Sequence, residues 1–263
     1  MKYMGSKSRI AKYIVPILQG LIDKNRLQVY AEPFVGGANI IDKIQCNRRI
    51  AGDAQTYLIA LYDNLDKVPA LPDFVTRDHY QEVQRCYRER NGAFPDWYIG
   101  AIGFLASYNG KFFDGGYAKE ALTKTGTRRN YYQEGLRNLV AQAPRLHGVE
   151  FLRGDYRQTC DHLDGALIYC DPPYQGTTAY ASAPEFYHEE FWDWCRYMSD
   201  RNIVLVSEQQ ARDDFVCIWE RPVTRTLNNA GRATAPERLF CYCETPASLF
   251  SGIQAEGLEV WGL

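Results

Sequence analysis

Long apolar segments and metal-binding cysteine motifs are both missing from this 263-residue sequence. No apolar stretch approaches the roughly 18 residues of a membrane helix, and the residues KYMGSKSR after Met1 contain neither an apolar core nor a cleavage site. The eight cysteines include no CxxC pair, which removes the common zinc and thioredoxin motifs. We therefore expect a cytoplasmic protein with reduced cysteines in its core, no membrane partner and no metal ion.

A strong net charge is also missing, but the positive charge is unevenly distributed. The formal net charge is −2 at pH 7, so the chain as a whole does not attract polyanions. Residues 77–145 nevertheless carry eleven Lys and Arg residues against seven acidic residues. This local excess favours contact with nucleic-acid phosphates in that part of the chain.

The order of hydrophobic patterns indicates an α/β fold with one large insertion. Short strands alternate with helices in both terminal parts of the chain. At VPALPD, residues 68–73, two prolines end this alternation, and a mainly helical segment follows, which we place at residues 67–147. The predicted strands are 29–31, 49–52, 149–152, 166–170, 203–207, 215–219 and 238–243. The predicted helices are 8–21, 39–46, 57–65, 74–90, 96–109, 131–143 and 185–200.

A glycine turn follows the first predicted strand, in the stretch EPFVGGA at residues 32–38. Glycines let the backbone approach a ligand closely, and the predicted helix from Asn39 to Cys46 would offer unpaired N–H groups to a nucleotide. Asp53 ends the next strand, where such folds place an acid that accepts hydrogen bonds from ribose hydroxyls. A plain turn and a surface acid would explain the same residues. The spacing does not fit the GxGxxG motif of nicotinamide enzymes.

The stretch DPPY at residues 171–174 directly follows the apolar strand ALIYC. Proline has no N–H for a sheet or helix, so these residues stand rigidly at the carboxyl end of the strand, where open α/β sheets bind ligands. The Asp171 carboxylate and the Pro172 carbonyl are two fixed acceptors that can activate an exocyclic amine of a nucleobase. Tyr174 can stack on a base that has been flipped out of its helix. A rigid turn would explain the prolines, but not the acid and the aromatic residue together.

Together these motifs resemble those of the Dam-type adenine-N6 DNA methyltransferases, the alpha group of the D12 class. In chain order they are MKYMGSK (1–7), EPFVGGA (32–38), Asp53, GDY (154–156), DPPY (171–174) and VLVSEQQA (204–211). The resemblance covers nearly the whole chain. It implies a Rossmann-like methyltransferase fold with a mixed, mostly parallel seven-stranded sheet at residues 1–66 and 148–263, and a helical target-recognition subdomain at 67–147. It further implies S-adenosylmethionine as cofactor and direct methyl transfer to an adenine in double-stranded DNA.

The resemblance also assigns roles to individual residues. The implied catalytic set is Asp171, Pro172, Pro173 and Tyr174. The residues implied for cofactor binding are Tyr3, Lys7, Glu32, Pro33, Phe34, Gly36, Gly37, Asp53, Asp155, Tyr156 and Asp171. Among these, Asp155 and Tyr156 are similar to the pair that bonds and stacks on the adenine of the cofactor.

The insertion is the predicted DNA reader, because its loop interleaves basic and aromatic residues. The expected DNA-contacting residues are Tyr108, Asn109, Lys111, Phe113, Lys124, Arg128 and Arg129. Phe113 stands where GATC-reading family members carry a guanine-reading arginine, so the resemblance supplies no target sequence. The segment SEQQ at 207–210 likewise departs from the asparagine-containing segment of the family.

Several alternatives stay open from the sequence. DPPY can activate cytosine N4 as well as adenine N6, although the motif order and the amino-terminal motif favour adenine. A non-catalytic DNA-binding relative is a further alternative, but it would have no need of an intact DPPY set. RNA as a substrate, bacterial or phage origin and a companion restriction endonuclease are not decided by these motifs. We expect a monomer.

Overall fold

The computed structural model describes residues 1, 3–122, 126, 128–174, 186–227 and 231–258, apart from the side chains of residues 122, 224–227 and 231–235. Numbered in chain order, the strands are β1 (Val29–Glu32), β2 (Arg48–Asp53), β3 (Ala121–Leu122), β4 (Arg128–Arg129), β5 (Val149–Arg153), β6 (Ala166–Cys170), β7 (Ile203–Glu208), β8 (Val216–Leu227) and β9 (Gly231–Cys241). The α-helices are α1 (Ala11–Asn25), α2 (Thr56–Tyr62), α3 (Arg77–Glu89), α4 (Asp96–Leu105), α5 (Tyr131–Gln142), α6 (Tyr156–Cys160), α7 (His188–Ser199) and α8 (Pro246–Phe250).

Seven of the described strands form one sheet in the order β5-β2-β1-β6-β7-β9-β8. Strands β5, β2, β1, β6 and β7 run parallel to one another, whereas β9 is antiparallel to both β7 and β8. Strand β6 is buried along its whole length, as expected for a central strand whose two faces are both covered. The predicted mixed, mostly parallel seven-stranded sheet is confirmed.

The last two strands are longer than their sequence patterns indicated. Strands β8 and β9 pair from Val216 opposite Cys241 to Leu227 opposite Gly231. Strand β7 ends at Glu208, opposite Arg238. The outer half of the β8–β9 hairpin therefore extends beyond the carboxyl ends of the parallel strands.

Two predicted helices differ from the structure. The prediction of an α-helix at 39–46 is wrong, because the segment forms only a short 3₁₀ turn, Ile41–Lys43. The flanking Ile40 and Ile44 are buried together with Ile41, so this β-branched connection packs inward on its way to β2 without completing an α-helix. The helix predicted at 96–109 ends at Leu105, and Tyr108–Gly110 forms a separate 3₁₀ turn.

The helical insertion packs directly on the α/β part of the chain. Helix α4 approaches α2 so closely that a Cβ on Gly100 would lie 2.1 Å from the carbonyl oxygen of Tyr57, so a larger residue would not fit there. One continuous cluster of buried apolar side chains joins α1 to Phe104 and Phe112 of the insertion. The division at residues 67 and 147 stays a prediction about function, because the two parts share this core.

None of the helices in the described ranges is both long and apolar enough to span a bilayer. The same residues contain no group of three or more His, Cys, Asp or Glu side chains that could hold a metal ion. All eight cysteines carry free thiols.

Candidate active site

An open cavity of about 2410 Å³ lies at the carboxyl ends of β1, β2 and β6. Small-ligand pockets usually measure about 300 to 1000 Å³, so this cavity has room for a nucleoside-sized cofactor and a flipped base together. The cavity brings together most of the residues singled out from the sequence. Those that line it are Tyr3, Lys7, Glu32, Pro33, Phe34, Gly36, Gly37, Asp53, Tyr108, Asn109, Lys111, Asp155, Tyr156, Asp171, Pro172, Pro173 and Tyr174.

The glycine turn at one end of the cavity is held by side chains. Gly36 has a left-handed backbone with φ of 46°, and its N–H donates to Oδ2 of Asp53 at 3.0 Å. The Tyr62 hydroxyl donates to the Gly36 carbonyl at 2.8 Å. A Cβ on Gly36 would lie 3.0 Å from the ring of Tyr3, so the amino-terminal motif and the turn are in close contact. The N–H groups of a following α-helix, expected from the sequence, are not available here because that helix does not form.

Asp53 is positioned by two backbone N–H groups. Besides Gly36, the N–H of Gln55 donates to its Oδ1 at 2.9 Å. Burial raises the pKa of Asp53 to about 6, although both N–H groups lower it. A carboxylate has about four acceptor sites, so these two bonds do not saturate it. Asp53 can therefore also accept hydrogen bonds from hydroxyl groups of a ligand in the cavity.

Gln142 supports the same turn from the insertion, and no sequence pattern pointed to it. Its Nε2 donates to the carbonyls of Gly37 and Ala38 at 3.1 and 2.8 Å. The side chain is buried at the end of α5. A glutamine at the end of a helix is usually exposed, so only the assembled fold identifies this contact. The geometry of the turn thus depends on the insertion.

Glu32 lies at the end of β1 and lines the cavity. The Tyr30 hydroxyl donates to its Oε1 at 2.7 Å. Burial raises the pKa of Glu32 to about 8, so the carboxyl group is mostly protonated at neutral pH. Glu32 therefore enters the cavity as a neutral hydrogen-bonding group.

Aromatic rings form one wall of the cavity beside Asp155. Asp155 caps helix α6 with a reciprocal pair of bonds, in which its Oδ1 accepts from the N–H of Gln158 at 2.9 Å. The ring centroid of Phe34 lies 5.8 Å from that of Tyr156 and 5.8 Å from that of Phe186. Such a wall suits a flat heterocycle. Phe186 was not singled out from the sequence, where it stands only at the start of a predicted helix.

The DPPY residues follow β6 at the other end of the cavity. Lys7 Nζ lies 2.7 Å from Asp171 Oδ1 and 4.6 Å from the centroid of the Tyr174 ring. Lys7 is only 8% exposed, so it is not a solvated lysine at a helix start. Burial, with the nearby carboxylates of Asp171 and Glu237, raises the pKa of Tyr174 well above its usual value. Tyr174 therefore stays a neutral phenol that can donate a hydrogen bond.

Glu237 completes this end of the cavity, and it was not singled out from the sequence. Its Oε2 accepts from the Tyr174 hydroxyl at 2.6 Å and lies 3.7 Å from Lys7 Nζ. The sequence pattern predicts a strand at 238–243, directly after Glu237. That pattern does not indicate which residues the Glu237 side chain contacts.

The insertion contributes Tyr108, Asn109 and Lys111 to the rim of the cavity. Tyr108 is 51% exposed, and Asn109 has a left-handed backbone with φ of 56°. Arg128 and Arg129 lie on β4, which pairs with β3, and both are exposed. Lys124, also expected to contact DNA, lies outside the described residues.

The expectation that Phe113 contacts DNA needs correction. The residue is only 6% exposed, and its ring stacks on Tyr87 with centroids 5.4 Å apart and contacts Tyr80. Phe112 beside it is buried as well. The aromatic residues of this loop thus form the core of the insertion, and Phe113 offers no exposed face to a base.

The model of the D12 class N6 adenine-specific DNA methyltransferase family matches residues 3–89 and 108–196, which is more than half of the chain. The chain belongs to this family. The matched ranges contain the amino-terminal motif, the glycine turn and DPPY, whereas Glu237 lies beyond them.

Individual relatives of this family member are distant. The type II methyltransferase M.FokI of Planomicrobium okeanokoites is 25% identical over 195 residues, which cover 68% of this chain and 29% of that protein. The chain thus spans less than a third of the length of that curated relative. Two structures of the rRNA methyltransferase aviRa from Streptomyces viridochromogenes are 11% identical, with 85% of this chain and 84% of theirs covered, at TM-scores of 0.35 and 0.33. Scores this low support no argument about this chain.

Proposed function

We propose that the protein methylates N6 of a specific adenine in double-stranded DNA, with S-adenosylmethionine as methyl donor. The observation that carries this proposal is the shared cavity, whose two ends are the glycine turn with Asp53 and the rigid DPPY segment. A methyl donor held at the first end and a base held at the second would meet inside one cavity. Such proximity is a large part of the rate enhancement for group transfer.

The residues at the glycine end fit the cofactor. Asp53 retains acceptor capacity for two ribose hydroxyls, and the wall of Phe34, Tyr156 and Phe186 suits an adenine ring. A Cβ at Gly36 would fill the space beside Tyr3, so glycine keeps the turn open to a close ligand. When bound, S-adenosylmethionine supplies an electrophilic methyl group on a sulfonium. Glu32, Pro33, Lys7 and Asp155 belong to the set proposed around it.

The residues at the DPPY end fit an exocyclic amine. Asp171 and the carbonyl of Pro172 can accept the two N–H groups of the adenine amine, which leaves the nitrogen lone pair directed away from the ring. The ammonium of Lys7, 2.7 Å from Asp171, favours the ionised carboxylate. The Tyr174 ring stacks on the flipped base, and the rigid Pro172-Pro173 pair keeps these groups at fixed separation.

The insertion is proposed as the DNA-recognition part, at residues 67–147. Tyr108, Asn109 and Lys111 line the cavity that would receive the flipped base, and Arg128 and Arg129 supply exposed positive charge. The type II designation of the relative M.FokI supports a role in restriction-modification beside a companion endonuclease. We further propose that the protein acts in the cytoplasm of a bacterial cell, whether the gene is bacterial or phage-borne.

The test is methylation of duplex DNA followed by digestion to nucleosides and mass analysis. We expect 6-methyladenine and no 4-methylcytosine from the unsubstituted protein. We expect Asp171→Ala to lower the rate at least about a thousandfold, because it removes a group that acts in the transition state. A product of 4-methylcytosine, or full activity of Asp171→Ala, would contradict the proposal.

A further inference from the structure

Glu237 occupies an unusual position for an acidic residue. It lies on β9, where its backbone is opposite that of Arg221 of β8. The next residue, Arg238, is opposite Glu208, the last residue of β7. This register places it just beyond the carboxyl end of the parallel strands, where it lines the cavity. It is only 6% exposed. A buried carboxylate is costly unless it is paired, so its partners indicate what it does.

Two partners of Glu237 belong to the proposed catalytic end. The Tyr174 hydroxyl donates to Glu237 Oε2 at 2.6 Å. The ammonium of Lys7 lies 3.7 Å from the same oxygen. Hydrogen bonds to an ionised acceptor are about twice as strong as those between neutral groups, so the hydroxyl of Tyr174 is held firmly.

The side chains of Lys7, Asp171, Tyr174 and Glu237 are linked through Lys7 and through the Tyr174 hydroxyl. Lys7 Nζ lies 2.7 Å from Asp171 Oδ1 and 3.7 Å from Glu237 Oε2. The same nitrogen lies 4.6 Å from the centroid of the Tyr174 ring. One cation is therefore shared by two carboxylates, one of which is Asp171. Glu237 thus influences both the orientation of the stacking ring and the location of the ammonium beside Asp171.

We infer that Glu237 is a positioning residue for methyl transfer, which fixes the Tyr174 ring for base stacking and holds Lys7 between itself and Asp171. This inference rests on the proposed function. Glu237 itself need not touch the base. Without it, the Tyr174 hydroxyl loses this charged acceptor, and the ring is held less firmly. Lys7 would then be attracted to Asp171 alone, which weakens Asp171 as an acceptor for the amine.

The inference predicts a loss of turnover without an equal loss of cofactor affinity. The contacts of Glu237 with Tyr174 and Lys7 lie at the DPPY end, so the cofactor end should stay intact. A hydrogen bond to a charged group is typically worth enough to lower the rate by about tenfold to a hundredfold when it is lost. A general loosening of the structure would instead weaken cofactor binding and turnover together.

The experiment compares Glu237→Ala, Glu237→Gln and Tyr174→Phe with the matched control Glu220→Gln. Glu220 is an exposed acid of the same hairpin, and it pairs with Arg238 away from the cavity. Turnover at saturating DNA and cofactor, cofactor affinity by calorimetry, and base flipping by the fluorescence of 2-aminopurine at the target adenine are measured for each.

We expect kcat to fall about tenfold to a hundredfold in Glu237→Ala and less in Glu237→Gln, which keeps an oxygen acceptor for Tyr174. Glu220→Gln should match the unsubstituted protein. Cofactor affinity should stay within about threefold in all variants. The double variant Tyr174→Phe with Glu237→Gln should lose less than the product of the two single losses, because both changes remove the same contact.

Unchanged kcat in Glu237→Gln and in Tyr174→Phe would overturn the inference, as would additive losses in the double variant. If Glu237→Ala fails to fold, the isosteric Glu237→Gln and Tyr174→Phe decide the question. Equal losses of kcat and cofactor affinity would also contradict a positioning role. A failure of the proposed function is distinct, because the unsubstituted protein itself would then form no 6-methyladenine in the same assay.

Discussion

The two ends of the cavity are built from different kinds of contact. At the glycine end, Asp53 and Asp155 accept from backbone N–H groups two and three residues further along the chain. At the DPPY end, the Tyr174 hydroxyl reaches a carboxylate 63 residues away, and Lys7 of the amino-terminal motif reaches Asp171. Further bonds at the glycine end come from the distant Tyr62 and Gln142, but each of them also ends on a backbone group. Backbone N–H and C=O groups therefore take part in the bonds at the first end, whereas charged side chains from distant segments contact one another at the second.

This difference has an energetic consequence. An ordinary backbone hydrogen bond contributes about 1 kcal/mol, and its loss leaves the neighbouring bonds intact. Removal of one partner from a buried ion pair costs about 3 to 5 kcal/mol, because an uncompensated charge stays behind. Single substitutions should therefore have larger effects at the DPPY end than at the glycine end.

Apart from the loss of Asp171 itself, the largest expected effect is that of Lys7→Met. The change leaves the two carboxylates of Asp171 and Glu237 without their shared cation. We expect the free energy of unfolding to fall by about 3 to 5 kcal/mol and kcat to fall at least about a hundredfold. Thermal or denaturant unfolding and turnover at saturating cofactor measure the two effects, with the exposed Lys12→Met of α1 as control. Weak cofactor binding with normal turnover would mean that Lys7 acts only through the cofactor.

A smaller effect is expected from pH at the glycine end. Asp53 has a pKa raised to about 6, so it is ionised above that pH and becomes protonated below it. Because the ionised form is the better acceptor for ribose hydroxyls, cofactor affinity should fall by about tenfold between pH 7 and pH 5. The carboxyl group of Glu32, with a pKa of about 8, is protonated throughout this range and adds little change.

Calorimetric titration of the cofactor at several pH values tests the assignment. Asp53→Asn should bind more weakly at pH 7 and should lose most of the dependence between pH 5 and pH 7. An equally steep dependence in Asp53→Asn would mean that another group near the turn is responsible.

The same contrast explains what the sequence could predict. Seven strands, the position of DPPY and the residues of the glycine turn follow from short-range patterns, such as an apolar strand that stops at two prolines. Glu237 and Gln142 were missed because their importance comes from partners on other elements. Phe113 was misjudged for a related reason, since an aromatic residue in a glycine-rich loop looks exposed until Tyr80 and Tyr87 are found around it.

The segment at 39–46 shows a further limit of local patterns. Its isoleucines are buried, as a helical face would require, but the short connection between the turn and β2 does not complete a helix. The turn is held by Asp53, Tyr62 and Gln142 instead. Hydrophobic spacing indicates which side chains face inward, and the path that the backbone must take decides whether an α-helix forms.

The smallest expected effect concerns the insertion, where two adjacent arginines of β4 allow a matched comparison. The Arg129 guanidinium is held by Glu134, with Nε 2.6 Å from Oε2, whereas Arg128 is 83% exposed in its side chain and lies 3.9 Å from Glu120. A charge already neutralised by a neighbour releases fewer counterions when it meets a phosphate. We expect Arg128→Ala to weaken DNA binding a few-fold and to reduce the slope of log affinity against log salt by about 1, with a smaller change in Arg129→Ala.

Binding is measured at several salt concentrations on two duplexes of different sequence, and Arg128→Ala should weaken both equally because phosphate contacts carry no sequence information. A loss of affinity confined to one duplex would make Arg128 a base-reading residue. A larger loss of affinity in Arg129→Ala than in Arg128→Ala would show that Arg129 leaves Glu134 and binds a phosphate when DNA is present.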